Sequence, residues 1–240
     1  MKYSKKDLII LSIFLLGLSF FFFQKDNSLN TKNPLFLLDE KVKDYDIGDI
    51  VGDGKEYLVV LTGDNKKEYG EEVIIFKMEE GREIYRKNFS SLNPWKIVIG
   101  DVDGDKIDDI SIGVYKESPL HPVMAKRPFI YSFKDGKIVP KWRGSRLSKP
   151  FTDYGFYDID GDGVDEIVAI EILEDNRKTI NTYKWKGFGF EVYLESQDFE
   201  DIENLTVKED TVYIQIKEGN RSYMGFLQLR DNKLRIERVD

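Results

Sequence analysis

An internal repeat constrains this chain more than any other feature, because a fixed period dictates how its units must pack. Around Lys96 the sequence reads KIVIGDVDGDKIDDISIGVY, and around Thr152 it reads TDYGFYDIDGDGVDEIVAIEI, so Asp101 and Asp158 hold matching positions 57 residues apart. Upstream, KDYDIGDIVGDGKEYLVVLTG carries the same plan with Asp49 in the place of Asp101, 52 residues earlier. A degenerate fourth copy around Asp201, FEDIENLTVKEDTVYIQIK, keeps strand, loop and strand without the glycines.

Each unit continues into a second pair of strands. EVIIFKM and EIYRKNF flank Glu79-Glu80-Gly81; PFIYSF and KIVPKW flank Lys134-Asp135-Gly136; KTINTYKW and FEVYLES flank Lys186-Gly187; RSYMGFLQL and KLRIERV flank Asp231-Asn232. Gly, Asp and Asn supply the positive φ that tight hairpins need. No segment after residue 34 sustains an apolar period of 3.6, and β-branched and aromatic residues dominate the candidate strands. The expected fold is therefore all-β: a β-propeller-like array of about four four-stranded blades over residues 34–240. A single four-stranded sheet cannot bury both faces and must stack on its neighbours. Leu35-Phe36-Leu37-Leu38 is a spare strand, expected to pair with the last blade and close the circle.

In DVDGDKIDD (101–109) and DIDGDGVDE (158–166), acids fall at positions 1, 3, 5 and 9 of a loop. Calcium takes six to eight hard oxygens, and Asp side chains on alternate residues converge on one ion when the backbone curls; Gly104, Gly161 and Gly163 permit the curl. The expected ligands are Asp101, Asp103, Asp105 and Asp109 with the carbonyl of Ile107 for one Ca2+, and Asp158, Asp160, Asp162 and Glu166 with the carbonyl of Val164 for a second. Without a cation, such acids repel one another. Ile112 and Ala169 stand where an EF-hand has its twelfth-position Glu, and strands follow both loops, so EF-hands are excluded. The first unit, DIVGDGKEY, has Val51 in place of the second acid and is expected to have lost its ion.

These loops resemble the FG-GAP/VCBS repeats of integrin-α-like β-propellers. The blade plan matches over most of residues 42–240, and the specific signal lies in about thirty residues around the two loops. The resemblance implies structural calcium between neighbouring strands of a blade, and a cell-surface or extracellular binding module, often adhesive.

The first 33 residues set the compartment. Leu8 to Phe23 (LIILSIFLLGLSFFFF) carry no charge and follow Lys2, Lys5 and Lys6. At 1.5 Å per residue this helix spans about 24 Å, and flanking lysines make up the rest of a core of about 30 Å. The run ends in four phenylalanines rather than the small residues of a cleavage site, which favours an uncleaved signal anchor over a cleaved signal peptide. Residues 1–7 are thus expected in the cytoplasm, 8–23 as a transmembrane helix in the cytoplasmic membrane, 24–33 as a polar tether, and the rest outside. The net charge of −8 disfavours nucleic acid as a partner, and the absence of cysteine excludes disulfides, thiolate metal sites and a lipoprotein anchor.

Signs of catalysis are sparse. His121 is the sole histidine, between prolines in SPLHPVMAKRP, and no hydrolase, P-loop or dinucleotide motif is present. The residues favour a non-enzymatic module that binds a protein or glycan, in adhesion or as a scaffold; the alternative is a cell-envelope hydrolase working from loops at one face of the propeller, with His121 and Glu117 as its groups. Trp95, Trp142, Trp185, Phe188 and Phe190 are expected between blades rather than on a carbohydrate surface. Lys116 to Arg127 forms the longest expected loop and is the expected binding edge.

Overall fold

A computed structural model describes residues 41–208 and 211–239. Among the described residues, sixteen strands fall into four antiparallel four-stranded meanders, each in sequence order. Blade 1 holds β1 (Val42–Gly48), β2 (Tyr57–Thr62), β3 (Glu72–Lys77) and β4 (Arg82–Asn88); blade 2 holds β5 (Pro94–Gly100), β6 (Asp109–Ser118), β7 (His121–Lys134) and β8 (Lys137–Trp142). Blade 3 holds β9 (Phe151–Tyr157), β10 (Glu166–Ile172), β11 (Lys178–Trp185) and β12 (Phe190–Phe199); blade 4 holds β13 (Asp201–Lys208), β14 (Thr211–Glu218), β15 (Arg221–Arg230) and β16 (Lys233–Arg238). The blades take a propeller arrangement, in which β1 packs on β5, β5 on β9 and β9 on β13. No comparable contact joins β13 to β1 among the described residues.

The core is a series of layers between blades. Val59 and Leu61 of blade 1 meet Ile97, Ile110 and Ile112 of blade 2. On the other face of blade 2, Val98 and Ile130 meet Phe156, Ile167 and Ala169 of blade 3. Val168, Ile170 and Ile180 then meet Ile202, Val212 and Ile214 of blade 4. Side chains alternate across a strand, so β10, packed on both faces, is buried from Glu166 through Glu171. In β14 only Val212, Ile214 and Ile216 are buried, alternating with partly exposed residues, because a single face meets another blade. Each fully buried aliphatic side chain is worth about 1.5–3 kcal/mol, which makes these layers the main source of stability. Leu58, Val60, Ile74 and Phe76 form a fourth cluster on the second face of blade 1.

Turn chemistry follows the sequence. Asp135-Gly136 and Asp231-Asn232 all have positive φ, as the β7–β8 and β15–β16 hairpins require. The segment Lys116–Arg127 is not a loop: β6 and β7 run on as a paired hairpin to Ser118 and His121, leaving Pro119-Leu120 as the tip. Val114 stands opposite Arg127 and Lys116 opposite Ala125 in the antiparallel register, a pairing that the prolines around His121 obscure in the sequence. In the fourth copy, Asp201 opens β13, which runs to Lys208, and β14 begins at Thr211, so no loop falls around Asp201. The described residues contain no helix long and apolar enough to cross a membrane. The anchor expected at 8–23, the tether at 24–33 and the spare strand at Leu35–Leu38 lie outside the described residues.

Candidate metal centres

Each acidic loop joins the first strand of a blade to the second. Its leading aspartate organises the curl. Asp158 Oδ1 accepts from the backbone N–H of Gly161 and Asp162 at 2.8 and 3.1 Å, and its Oδ2 from Gly163 at 2.8 Å. Asp101 does the same for Asp103, Gly104 and Lys106, and Asp49 for Gly52, Asp53 and Gly54. The cap thus persists in blade 1, where the second acid is missing. Gly104 and Gly161 sit at φ +76° and +74°, and Lys106, in the place of Gly163, accepts φ +65°. Substitution of that glycine by lysine leaves the curl intact.

The loops bring three of four expected carboxylates together in each case. Oxygens of Asp101, Asp103 and Asp105 lie within 4.8 Å of one another, and so do those of Asp158, Asp160 and Glu166. The remaining acid is drawn aside by lysine or serine. Asp109 accepts from Ser132 Oγ at 3.1 Å and faces Lys141 Nζ at 2.7 Å, while the same ammonium stands 2.6 Å from Asp103. Asp162 faces Lys184 Nζ at 2.7 Å; that ammonium also lies 2.7 Å from Asp160 and 3.4 Å from Glu166 Oε1.

Glu166 carries the clearest sign of an unmet requirement. It is fully buried, its Oε2 accepts from the Ile159 N–H at 2.9 Å, and its Oε1 has no hydrogen bond. Asp160 Oδ1 and Asp103 Oδ1 are likewise buried without one. Burial pushes the Glu166 carboxyl up to about 7 and Asp109 up to about 6, each against the opposing pull of its lysine and hydrogen bonds. At Asp160 burial also opposes ionisation, but Lys184 and Tyr193 prevail and hold the group low. A set of hard, partly unsatisfied carboxylate oxygens around a glycine-bent loop fits an alkaline-earth ion. A cavity of about 280 Å3 opens between the two loops, lined by Val102, Asp103, Asp162, Val164, Glu166 and Lys184 among others.

Further acids stitch the loops into a ladder. Asp108 Oδ2 accepts from the Asp49 N–H at 2.7 Å, while Asp108 N–H donates to Asp49 O at 3.0 Å. Asp165 N–H repeats the second bond to Asp101 O at 2.7 Å. Asp108 and Asp165 are the eighth residues of their loops, and their recurrence in the repeat is the signal that marks them. Lys141 and Lys184 have no such signal, since they come from different strands, β8 and β11.

The other sequence candidates separate cleanly. Trp95, Trp142 and Phe190 pack against the layer between blades 2 and 3, and Trp185 meets Phe190 edge to face at 5.2 Å; Phe188 is 82% exposed. His121 Nδ1 lies 3.2 Å from the Arg127 guanidinium, and Ser118, its partner across the strands, makes no side-chain hydrogen bond. No protein-family model matches the chain, and no curated protein matches it in sequence.

Proposed function

We propose that the chain is a non-enzymatic display module of FG-GAP/VCBS type: a β-propeller held outside the cytoplasm by the segment 8–23, stiffened by calcium in the loops of blades 2 and 3, and offering a blade surface to a protein or glycan. The observation that carries the cation is Glu166, a fully buried carboxylate whose Oε1 lacks a hydrogen bond while Asp158 and Asp160 converge on it. A buried carboxylate whose charge is met only by a shared ammonium 3.4 Å away is costly, and a divalent ion removes the cost. The anchor and the outward orientation rest on the apolar run and the three preceding lysines. Nothing around His121 favours the hydrolase alternative, since the imidazole faces a guanidinium.

The test is thermal unfolding of the full chain in detergent, in excess calcium and in chelator. An ion held only by the folded state, at a concentration a hundred times its Kd, stabilises by about 2.7 kcal/mol, so the melting midpoint should rise by roughly 5–10 °C for a domain of this size. Superimposable curves would leave the lysines as the sole counter-ions and end the calcium reading.

A further inference from the structure

We propose that Lys184 and Lys141 are resident counter-cations of the two loops, so that a divalent ion binds by displacing an ammonium group and each lysine sets the affinity of its loop. This rests on the reading that the loops take a divalent ion, and it specifies what holds the seat when the ion is away.

Two independent strands deliver the ammonium to the same part of the loop. Lys184 lies on β11 directly before Trp185, and Lys141 lies on β8 directly before Trp142; both indoles pack on Phe190. Each ammonium bridges the third residue of its loop to other loop acids: Asp160 to Asp162 and Glu166 in blade 3, Asp103 to Asp109 in blade 2. Blade 1 supplies a comparison within the molecule. Lys77 pairs across the strands with Tyr57, the ninth residue of that loop, and so corresponds to Lys184. With Val51 and Tyr57 in place of the third and ninth acids, Lys77 turns instead to Glu80 at 2.6 Å. The lysine enters a loop only where the acids are present.

One positive charge does not satisfy such a cluster. In blade 3 it faces Asp160, Asp162 and Glu166 and leaves the buried Glu166 Oε1 without a hydrogen bond. In blade 2 both oxygens of Asp109 are met, by Ser132 and by Lys141. The blade 3 loop retains the larger deficit and takes the ion first. The flexible four-carbon stem of lysine lets the ammonium withdraw, and the cavity beside Lys184 gives it room.

Calcium titration of the full, chelator-stripped chain by calorimetry tests this, comparing wild type with Lys184→Met. Removing the competitor should tighten calcium binding by about tenfold or more, a coupling typical of groups that share partners, and should lower the melting midpoint in chelator. Calcium binding by Lys184→Met alone, with none by wild type, supports the same conclusion. A folded Lys184→Met variant with unchanged or weaker calcium binding overturns it. Absence of calcium binding from both proteins overturns the underlying cation reading instead. Should the variant not fold in chelator, 13C-methylated lysines in the wild type serve, with Lys184 identified by its loss in Lys184→Arg. Calcium should move that methyl signal to the position of exposed lysines, and a signal that stays in place overturns displacement.

Discussion

At the scale of single residues, the junction between blades 1 and 2 depends on carboxylates used as backbone caps. Asp44 Oδ2 and Asp46 Oδ2 accept the N–H groups of Ile97 and Ile99, each at 2.8 Å. These donors on β5 face a neighbouring blade and have no strand partner there, so a side chain must satisfy them. The cost is desolvation, which raises Asp46 from 3.8 to about 6 despite those bonds. A carboxyl raised on folding favours the folded state while protonated, and that contribution is lost as pH climbs from about 4 through about 6. Asp46→Asn removes the charge and keeps one of two acceptors, since the second carboxylate oxygen takes the Ile47 N–H at 2.9 Å. In urea unfolding the variant's stability relative to wild type should therefore rise by roughly 2 kcal/mol between pH 4 and pH 8, as a carboxyl moved from 3.8 to about 6 requires at about 1.4 kcal/mol per pH unit. A pH-independent difference would show that ionisation at this position is not what limits the junction.

At the scale of elements, the loops form a ladder in which each rests on the loop before it. A Cβ at Gly104 would stand 2.9 Å from Val164 Cγ2 of the next loop, whereas one at Gly161, at nearly the same φ, meets nothing within 4 Å among the described residues. Alanine at either position incurs the left-handed strain of about 1–2 kcal/mol, but only at Gly104 does it also overpack the contact with Val164. Gly104→Ala should thus destabilise by roughly 1–2 kcal/mol more than Gly161→Ala in denaturant titrations made in chelator. Equal losses would assign the glycine requirement to backbone conformation alone. The extension of β6 and β7 past the blade edge is governed in the same local way. Arg127 is buried and donates to the carbonyls of Lys116, His121 and Val123, which fixes a hairpin whose tip residue Leu120 is 89% exposed.

At the scale of the whole molecule, stability resides in the three layers between blades, and each blade depends mainly on its neighbours. Blades 2 and 3 are packed on both faces by other blades, while blade 4 meets another blade on one. Hydrogen exchange followed by mass spectrometry should find the amides of β6 and β10 slowest, with β14 and β15 exchanging at least about tenfold faster, as sub-global opening begins at the less buried end. Uniform protection across all four blades would instead mark the array as one cooperative unit.

The repeat, the four-strand plan and the curled acidic loops were legible in the sequence because each is a local property. Alternation of side chains fixes a strand, positive φ at Gly or Asn fixes a turn, and one aspartate caps the residues that follow it within its own loop. Asp201 shows the limit, since without glycines the fourth copy offered no marker for where its first strand ends, and Asp201 opens that strand instead of a loop. Which charges meet across strands is a property of register and of stacking. Lys141 and Lys184 reach matching places in their loops from β8 and β11, and Asp44 and Asp46 cap a strand more than fifty residues away. Alternating aspartates announce a need for positive charge wherever they occur; whether an ammonium from a distant strand meets part of that need is decided only when the blades are folded and packed.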